Sequence, residues 1–152
     1  MGLINDLKRS ALPVALDTCI FIYFIEEHSK YLSIVQPIFA AISAGNLNAV
    51  TSALTLMETL VLPYRLGNVL LANQYEAFLT RSRGLKLDRI TTNTCRAAAQ
   101  LCAAYGIKTP DALQLATALM AKCSTFLTND RALPPIAGIH IVQIEDYLRQ
   151  YQ

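Results

Sequence analysis

The sequence predicts an α/β fold in which helices cover both faces of a mainly parallel, five-stranded sheet. Short apolar runs alternate along the chain with longer segments of helical character, which is the order that parallel sheets require. Hydrophobic residues make up 53% of the 152 residues and charged residues only 16%, so the chain can bury a core and disorder is not expected. Because no repeat or linker divides it, we expect one domain over residues 1–152, with its core at about residues 13–143.

The first half of the chain contains two predicted strands, each followed by helices. Val14–Asp17 is apolar up to its acidic end and is expected to be a buried strand. A second helical region is predicted to begin at Ser52, whose hydroxyl can cap it, and Pro63 should kink or end this helix near Arg65. The other predicted elements of this half are helices at Cys19–Glu26, Leu32–Ala44 and about Leu70–Arg83, and a strand at Leu47–Thr51.

The second half continues the alternation. Leu85–Ile90 alternates as a strand does, and Gly106 should end the Ala-rich helix Asn93–Tyr105. Thr109-Pro110-Asp111 predicts a helix start, because it combines a capping hydroxyl, a first-turn proline and an acid that the helix dipole favours. This helix is expected to run to about Lys122, followed by strands at Ser124–Thr128 and Ile139–Val142 and a short helix at Glu145–Gln150.

Four acidic residues interrupt apolar stretches of this chain: Asp17, Glu58, Asp111 and Asp130. Buried carboxylates are rare unless a cation or metal accompanies them. Two of the four follow predicted strands directly, one opens a helix, and one lies two turns into a helix. In open α/β sheets these positions lie at the same rim, beyond the carboxyl ends of the strands. The sequence therefore predicts that the four acids converge on one site.

Each acid also has a plainer interpretation. Asp17 can simply cap the helix after it, Asp111 can be a first-turn acid, and Asp130 can be an ordinary turn residue. Glu58 is the hardest to explain in this way, because its helical neighbours are apolar. Joint placement, rather than any single position, favours the functional interpretation.

Carboxylates are the ligands that Mg²⁺ or Mn²⁺ prefers, and such ions can activate water and stabilise the leaving oxygen of a phosphodiester. No sequence motif for a serine or cysteine nucleophile or for a nucleotide-binding glycine loop is present. His28 and His140 are too few and too far apart to predict a zinc site. Metal-dependent phosphate chemistry is the hypothesis that remains.

Charge and cysteine content narrow the class of protein. The formal charge of +2 is nearly balanced, so nucleic-acid binding would depend on local patches. No signal peptide or membrane span is indicated. The four cysteines are scattered in apolar stretches without a CxxC pair, which is typical of reduced core thiols and favours a cytoplasmic protein.

Each acid belongs to a longer motif. A strand ending in the acid and continued by an apolar helix occupies Leu16–Tyr23, and a Ser or Thr followed by a helical Glu occupies Thr51–Glu58. An Asp opening an Ala-rich helix occupies Pro110–Ala118, and a strand ending in Thr-x-Asp occupies Phe126–Asp130. In this order, and over nearly the whole chain, the four motifs resemble those of the PIN domain family, in particular the VapC-type toxin ribonucleases.

The resemblance implies a Rossmann-like three-layer α/β/α sandwich and a metal-dependent endoribonuclease, with Mg²⁺ or Mn²⁺ as its cofactor and RNA as its substrate. It also implies a toxin that forms a homodimer and is inhibited by a cognate antitoxin protein. The implied site consists of four catalytic, metal-binding acids and two supporting hydroxyls: Asp17, Glu58, Asp111, Asp130, Thr18 and Thr128.

Arginines are the candidates for substrate binding. Arg131 follows Asp130 and could contact a phosphate, although a solvated turn residue is the plainer interpretation. Arg81 and Arg83 belong to a basic cluster with Lys86 and Arg89, which could guide RNA, contact an acidic partner or simply be solvated. Aromatic residues of the early helices are expected mostly in the core, with some in a dimer face or antitoxin groove: Tyr23, Phe24, Tyr64, Tyr75 and Phe78.

Two alternatives remain open. The chain could be a non-catalytic PIN-like module that holds RNA or a protein partner, or a housekeeping RNA-processing nuclease rather than a toxin. A phospho-acceptor receiver domain is disfavoured, because the chain lacks adjacent acids after the first strand and a lysine near the last one.

Overall fold

A computed structural model of the protein, which describes residues 2–150, has the predicted α/β architecture. All strand pairs of its five-stranded sheet are parallel, and the strand order is β3-β2-β1-β4-β5. The order therefore reverses between β1 and β4, which opens a crevice at the carboxyl ends of these two strands. The strands are β1 (Val14–Leu16), β2 (Ala49–Ser52), β3 (Leu85–Asp88), β4 (Thr125–Thr128) and β5 (His140–Gln143).

Helices connect the strands and cover both faces of the sheet. They are α1 (Leu3–Lys8), α2 (Thr18–Ile25), α3 (Leu32–Ser43), α4 (Ala53–Arg65), α5 (Val69–Arg81), α6 (Thr92–Tyr105) and α7 (Thr109–Met120), followed by a 3₁₀ helix at Ile144–Gln150. The short helix α1 was not predicted. Buried Leu3 and Leu7 anchor α1 against the core that contains α3.

Side chains of the central strands alternate between two cores, as the period of a strand requires. Val14 and Leu16 of β1 enter the core beneath α2 and α3, whereas Ala15 between them enters the core beneath α6 and α7. In β4, Phe126 and Leu127 divide in the same way. These strands are therefore buried on both faces, so their carboxyl ends are held rigidly where the acids follow.

Several boundaries differ from the sequence prediction, each for a local reason. The first strand ends at Leu16 because Asp17 already caps α2. Thr109 does not cap α7: it is the first helical residue, after Lys108, and no side chain caps that end. The helix α4 runs through Pro63 and ends at Arg65, as expected.

The cysteines are free thiols in the structure, but the expectation that all lie in the core was wrong. Cys123 is buried, whereas Cys95 is exposed because it lies on the outer side of α6. Among residues 2–150, no helix combines the length and hydrophobicity that a membrane crossing requires.

Candidate active site

The crevice between β1 and β4 holds the first acid. The register pairs Leu16 with Leu127, so the residues that follow, Asp17 and Thr128, also lie side by side. The Thr128 hydroxyl donates to Asp17 Oδ2 at 2.6 Å, and the backbone N–H of Thr18 donates to Asp17 Oδ1 at 2.8 Å. Asp17 therefore caps α2, as its plainer interpretation stated, and also faces the crevice.

Glu58 approaches Asp17 from the second turn of α4. The Thr18 hydroxyl donates to Glu58 Oε1 at 2.8 Å, and the side-chain amide of Gln114 in α7 lies 3.3 Å from the same oxygen. Thr18 thus contacts both carboxylates, one through its backbone and the other through its hydroxyl. This connection brings together two acids that are 41 positions apart in the chain (58 − 17).

Asp111 and Asp130 lie on the outer side of the same rim. Asp111 is in the first turn of α7. Asp130 follows β4, where its backbone N–H donates to Thr128 Oγ1 at 3.1 Å and its Oδ1 accepts from the N–H of Ala132 at 2.9 Å. The turn and first-turn roles considered for these acids are therefore present, alongside their position at the rim.

The pKa of Asp17 depends most on burial, then on hydrogen bonds, and less on the neighbouring acids. Removal from water raises the pKa of Asp17 above its usual range, and the hydrogen bonds from Thr128 and Thr18 oppose this effect in part. The negative charges of Glu58 and Asp111 raise the pKa further. The carboxylates are thus close enough to interact, although burial raises the pKa of Asp17 more than their repulsion does.

Asp111 is perturbed in the same direction. Partial burial is the main reason that its pKa is raised, followed by the charges of Asp130 and Glu58, while nearby Lys108 lowers it. Together with the couplings of Asp17, these interactions connect all four predicted acids within one electrostatic site. A cation at this rim would relieve the repulsion.

The chemistry of the donors suits a hard divalent cation, because every candidate ligand is a carboxylate oxygen. Within residues 2–150, however, no three acidic, histidine or cysteine side chains are grouped as a ready-made ligand set. The carboxylates of Asp17 and Glu58 are fixed by hydrogen bonds. Asp130 Oδ1 also accepts a hydrogen bond, from Ala132, so rotation of the Asp111 side chain is the movement that would most easily complete a metal site.

Cys19 lies beside the acids but does not supply a nucleophile. Burial, with the charge of Asp17 as the next cause, raises the pKa of the Cys19 thiol to about 12. The thiol is therefore protonated near neutral pH, and the reactive form of cysteine is absent. The arrangement favours attack by water rather than by a protein side chain.

Comparison with known proteins agrees with this geometry. The profile of the PIN domain family matches residues 14–139, which include all four acids and every strand up to the start of β5. The chain belongs to the PIN domain family. A search of curated proteins finds no significant match.

Solved structures share the fold of this PIN domain at low sequence identity. A chain of a toxin–antitoxin complex from Klebsiella pneumoniae is 19% identical with a TM-score of 0.64, and the match covers 86% of this chain and 97% of that one. A chain of DNA-bound VapBC from Salmonella typhimurium is 21% identical with a TM-score of 0.62, covering 88% and 98%. Mycobacterium tuberculosis VapC20, a sarcin–ricin loop cleaving toxin, is 16% identical with a TM-score of 0.62, covering 74% and 86%.

The predicted substrate arginines are divided between the two rims of the PIN domain. Arg131 lies at the acidic rim, where its guanidinium forms an ion pair with exposed Asp146. Arg81 and Arg83 do not join it: they precede β3, whereas the acids follow the carboxyl ends of strands parallel to β3. Since all strands are parallel, these two arginines lie at the opposite rim and are not part of the acidic site.

Of the early aromatic residues, Tyr75 is buried, and Tyr23, Phe24 and Phe78 are partly buried and pack against the core. Tyr75 is 1% exposed and donates its hydroxyl hydrogen bond to Glu26, while Phe24 and Phe78 pack against each other. Tyr64 is instead exposed. It belongs to a surface of exposed apolar side chains at the junction of α4 and α5, called here the α4–α5 surface: Met57, Val61, Leu62, Tyr64, Leu66, Val69 and Leu70.

Sequence reasoning missed the polar residues behind Glu58. Gln114 and Thr55 are buried and contact each other at 2.9 Å. Two signals were present: a glutamine inside the apolar helix Ala112–Ala118, and threonines spaced four residues apart at Thr51 and Thr55. Thr51 lies in β2 and Thr55 in the first turn of α4, so their hydroxyls meet across the turn from strand to helix.

Proposed function

We propose that this PIN domain is a Mg²⁺- or Mn²⁺-dependent endoribonuclease that acts as the toxin of a toxin–antitoxin pair. The observation that carries the proposal is the convergence of Asp17, Glu58, Asp111 and Asp130 on one rim, in mutual electrostatic contact. A divalent ion bound there would supply Lewis-acid activation of a water molecule and of the scissile phosphate. Family membership and the toxins among its structural neighbours support the choice of RNA as substrate.

The protein side chains would hold and orient the reacting groups. Asp17 and Glu58 provide fixed carboxylates, because Thr128 and Thr18 donate to them. Asp130 is held by one backbone hydrogen bond, from Ala132, and Asp111 provides an adjustable carboxylate. No acyl or phosphoryl intermediate on the protein is required, which agrees with the protonated state of Cys19.

The test is cleavage of single-stranded RNA by the purified chain with Mg²⁺ or Mn²⁺. We expect EDTA and Asp17→Asn each to lower the rate by roughly 10³-fold or more. Asparagine keeps the size of the side chain and one of the two acceptor oxygens, which can still accept from the N–H of Thr18, so the fold should persist. Asp6→Asn, which neutralises an exposed acid on α1, is the matched control and should cleave normally.

A cleavage rate that neither EDTA nor Asp17→Asn diminishes would place the chemistry elsewhere. One observation favours a second candidate, a non-catalytic binding module: among the described residues, no three acids form a ready-made ligand set. RNA binding by a chain that never cuts, with or without Mn²⁺, would decide for that candidate. Cleavage without growth arrest on expression would instead indicate a processing nuclease.

We further propose that the α4–α5 surface mediates self-association of the chain. Its side chains are strongly exposed, with Leu70 at 84% and Leu66 at 70%, and such apolar patches mark protein interfaces. The antitoxin would act at the acids instead, where one of its arginines could neutralise them and block the site. Sedimentation of wild type and Leu70→Lys tests the self-association, which fails if wild type is a monomer at micromolar concentration.

A further inference from the structure

A buried amide lies behind the acidic site and connects it to the sheet. Gln114 is one turn after Asp111 in α7 and is only 4% exposed. Its Nε2 lies 2.9 Å from Thr55 Oγ1, 3.2 Å from Thr18 Oγ1 and 3.3 Å from Glu58 Oε1. A buried amide in an apolar helix is costly unless it is hydrogen-bonded, so these contacts account for its presence there.

The hydroxyl protons of the network can be assigned by elimination. The Thr51 hydroxyl donates to the carbonyl oxygen of Leu16 at 2.9 Å. The proton of Thr55 is then used in its contact with Thr51 at 2.8 Å or in its contact with Thr18 at 3.2 Å. Thr55 then has only lone pairs left to offer to Gln114, whose Nε2 must be the donor.

The same reasoning fixes the other branch. The Thr18 hydroxyl donates its one proton to Glu58, so its oxygen can only accept from Gln114. Reversing the amide would place the oxygen of Gln114 against a carboxylate and two hydroxyls that have no proton to give. The side-chain NH2 group of Gln114 therefore faces Glu58, Thr18 and Thr55.

We propose that Gln114 is a positioning residue that holds Glu58 in the orientation required at the acidic rim. Its Nε2 has two protons for three acceptors: one N–H donates to Thr55 Oγ1, and the other is shared between Thr18 Oγ1 and Glu58 Oε1. Because Thr18 also donates to Glu58 Oε1, Oε2 of Glu58 is left for the site. The inference rests on the proposed metal-dependent function. Groups that orient a metal ligand from behind typically change metal affinity 10–100-fold when they are removed.

The decisive variant is Gln114→Met, which has a similar length and no donor. We expect calorimetry without RNA to show Mn²⁺ binding weakened roughly 10–100-fold relative to wild type. RNA cleavage should recover at high Mn²⁺, because the four acids remain. Thr117→Val is the matched control: it removes a buried hydroxyl of the same helix that bonds only the carbonyl of Leu113, and should leave Mn²⁺ affinity unchanged.

The outcomes separate this inference from the function on which it rests. If wild type neither binds Mn²⁺ nor cuts RNA, the proposed function fails, and the role of Gln114 fails with it. If wild type does both and folded Gln114→Met binds Mn²⁺ equally well, only the positioning role is overturned.

Should Gln114→Met not fold, Thr55→Val removes one branch of the network and should weaken Mn²⁺ binding several-fold. Unchanged affinity in Thr55→Val, or failure of both variants to fold, would assign the network to the core alone.

Discussion

Two pairs of acids occupy the same rim but are held in different ways. The inner pair, Asp17 and Glu58, receives hydrogen bonds from Thr128, Thr18 and Gln114, and therefore has little freedom. The outer pair, Asp111 and Asp130, lies at a helix start and in a turn. Among the described residues, no side-chain hydrogen bond holds the carboxylate of Asp111.

The difference indicates a division of roles at one site. Fixed carboxylates define where a cation would bind, whereas adjustable ones can close around it. A fixed arrangement of four close acids would be strongly repulsive without a cation. Asp111, whose carboxylate accepts no hydrogen bond among the described residues, is the acid that can most easily turn away from the others and reduce that repulsion.

Among the variants that test this comparison, Glu58→Gln should change cleavage and stability most. The variant keeps the shape of the side chain but turns charge-assisted hydrogen bonds into neutral ones and removes a candidate ligand. We expect roughly 10²–10³-fold slower RNA cleavage and a loss of about 1–2 kcal/mol in the free energy of unfolding. Urea unfolding measured beside cleavage checks both effects. If Glu58→Gln were as stable as wild type, the network would not depend on the charge of Glu58.

Asp111→Asn should also slow cleavage, by roughly 10²-fold, but with the opposite effect on stability. Removing a charge that repels Asp130 and Glu58 should stabilise the metal-free protein by a few tenths of a kcal/mol, since solvent screens this half-exposed site. A loss of stability in Asp111→Asn would contradict the division into fixed and mobile acids.

The stabilisation by Asp111→Asn should depend on pH. The pKa of Asp111 is raised in the folded protein, mainly by burial, so the folded state binds a proton more readily than the unfolded one. Proton binding by Asp111 therefore stabilises folded wild type below the unfolded pKa of about 3.8. This stabilisation is lost as pH rises through the raised pKa of the folded protein. The gain from Asp111→Asn should accordingly be larger at pH 7 than at pH 4, as measured by urea unfolding without metal.

Thr128→Val tests the support of the inner pair. The variant is isosteric, but Asp17 loses a 2.6 Å hydrogen bond from the hydroxyl. We expect about 1–3 kcal/mol of lost stability and roughly 10-fold slower cleavage, because Asp17 is displaced rather than removed. Thr59→Val is a suitable control, since its buried hydroxyl bonds only backbone carbonyls of α4. Equal losses of activity in the two variants would remove the special role of Thr128.

Sequence patterns were sufficient for the fold because each strand is a short apolar run buried on both faces. They also drew attention to the four acids that the structure brings to one rim, since a charge in or beside an apolar run has few neighbours that explain it. The register that places Thr128 beside Asp17 follows from β1 and β4 being adjacent, although more than a hundred residues separate them. That adjacency was not visible in the sequence.

The supporting network could not be predicted for a related reason. Gln114, Thr55 and Thr18 come from three different helices, and their contacts depend on how those helices pack. The position of Arg81 and Arg83 could not be predicted for a similar reason. They are close to a strand in sequence, but they precede it, and only the direction of β3 within the sheet shows that this places them at the other rim.

The smallest effect we expect is on RNA cleavage by variants of the arginines, which lie at opposite rims of the sheet. Arg131→Ala removes a guanidinium at the acidic rim, where it already pairs with Asp146 and is exposed, so RNA cleavage should slow only two- to three-fold through weaker phosphate binding. Arg83→Ala removes the same charge at the opposite rim and should leave cleavage of a short RNA unchanged. Both variants should be compared at two salt concentrations, because RNA binding depends less on salt when one cationic side chain no longer neutralises a phosphate. If Arg83→Ala slowed cleavage of a short RNA more than Arg131→Ala did, the substrate would have to extend across the sheet, and the acidic rim would not by itself define the binding site.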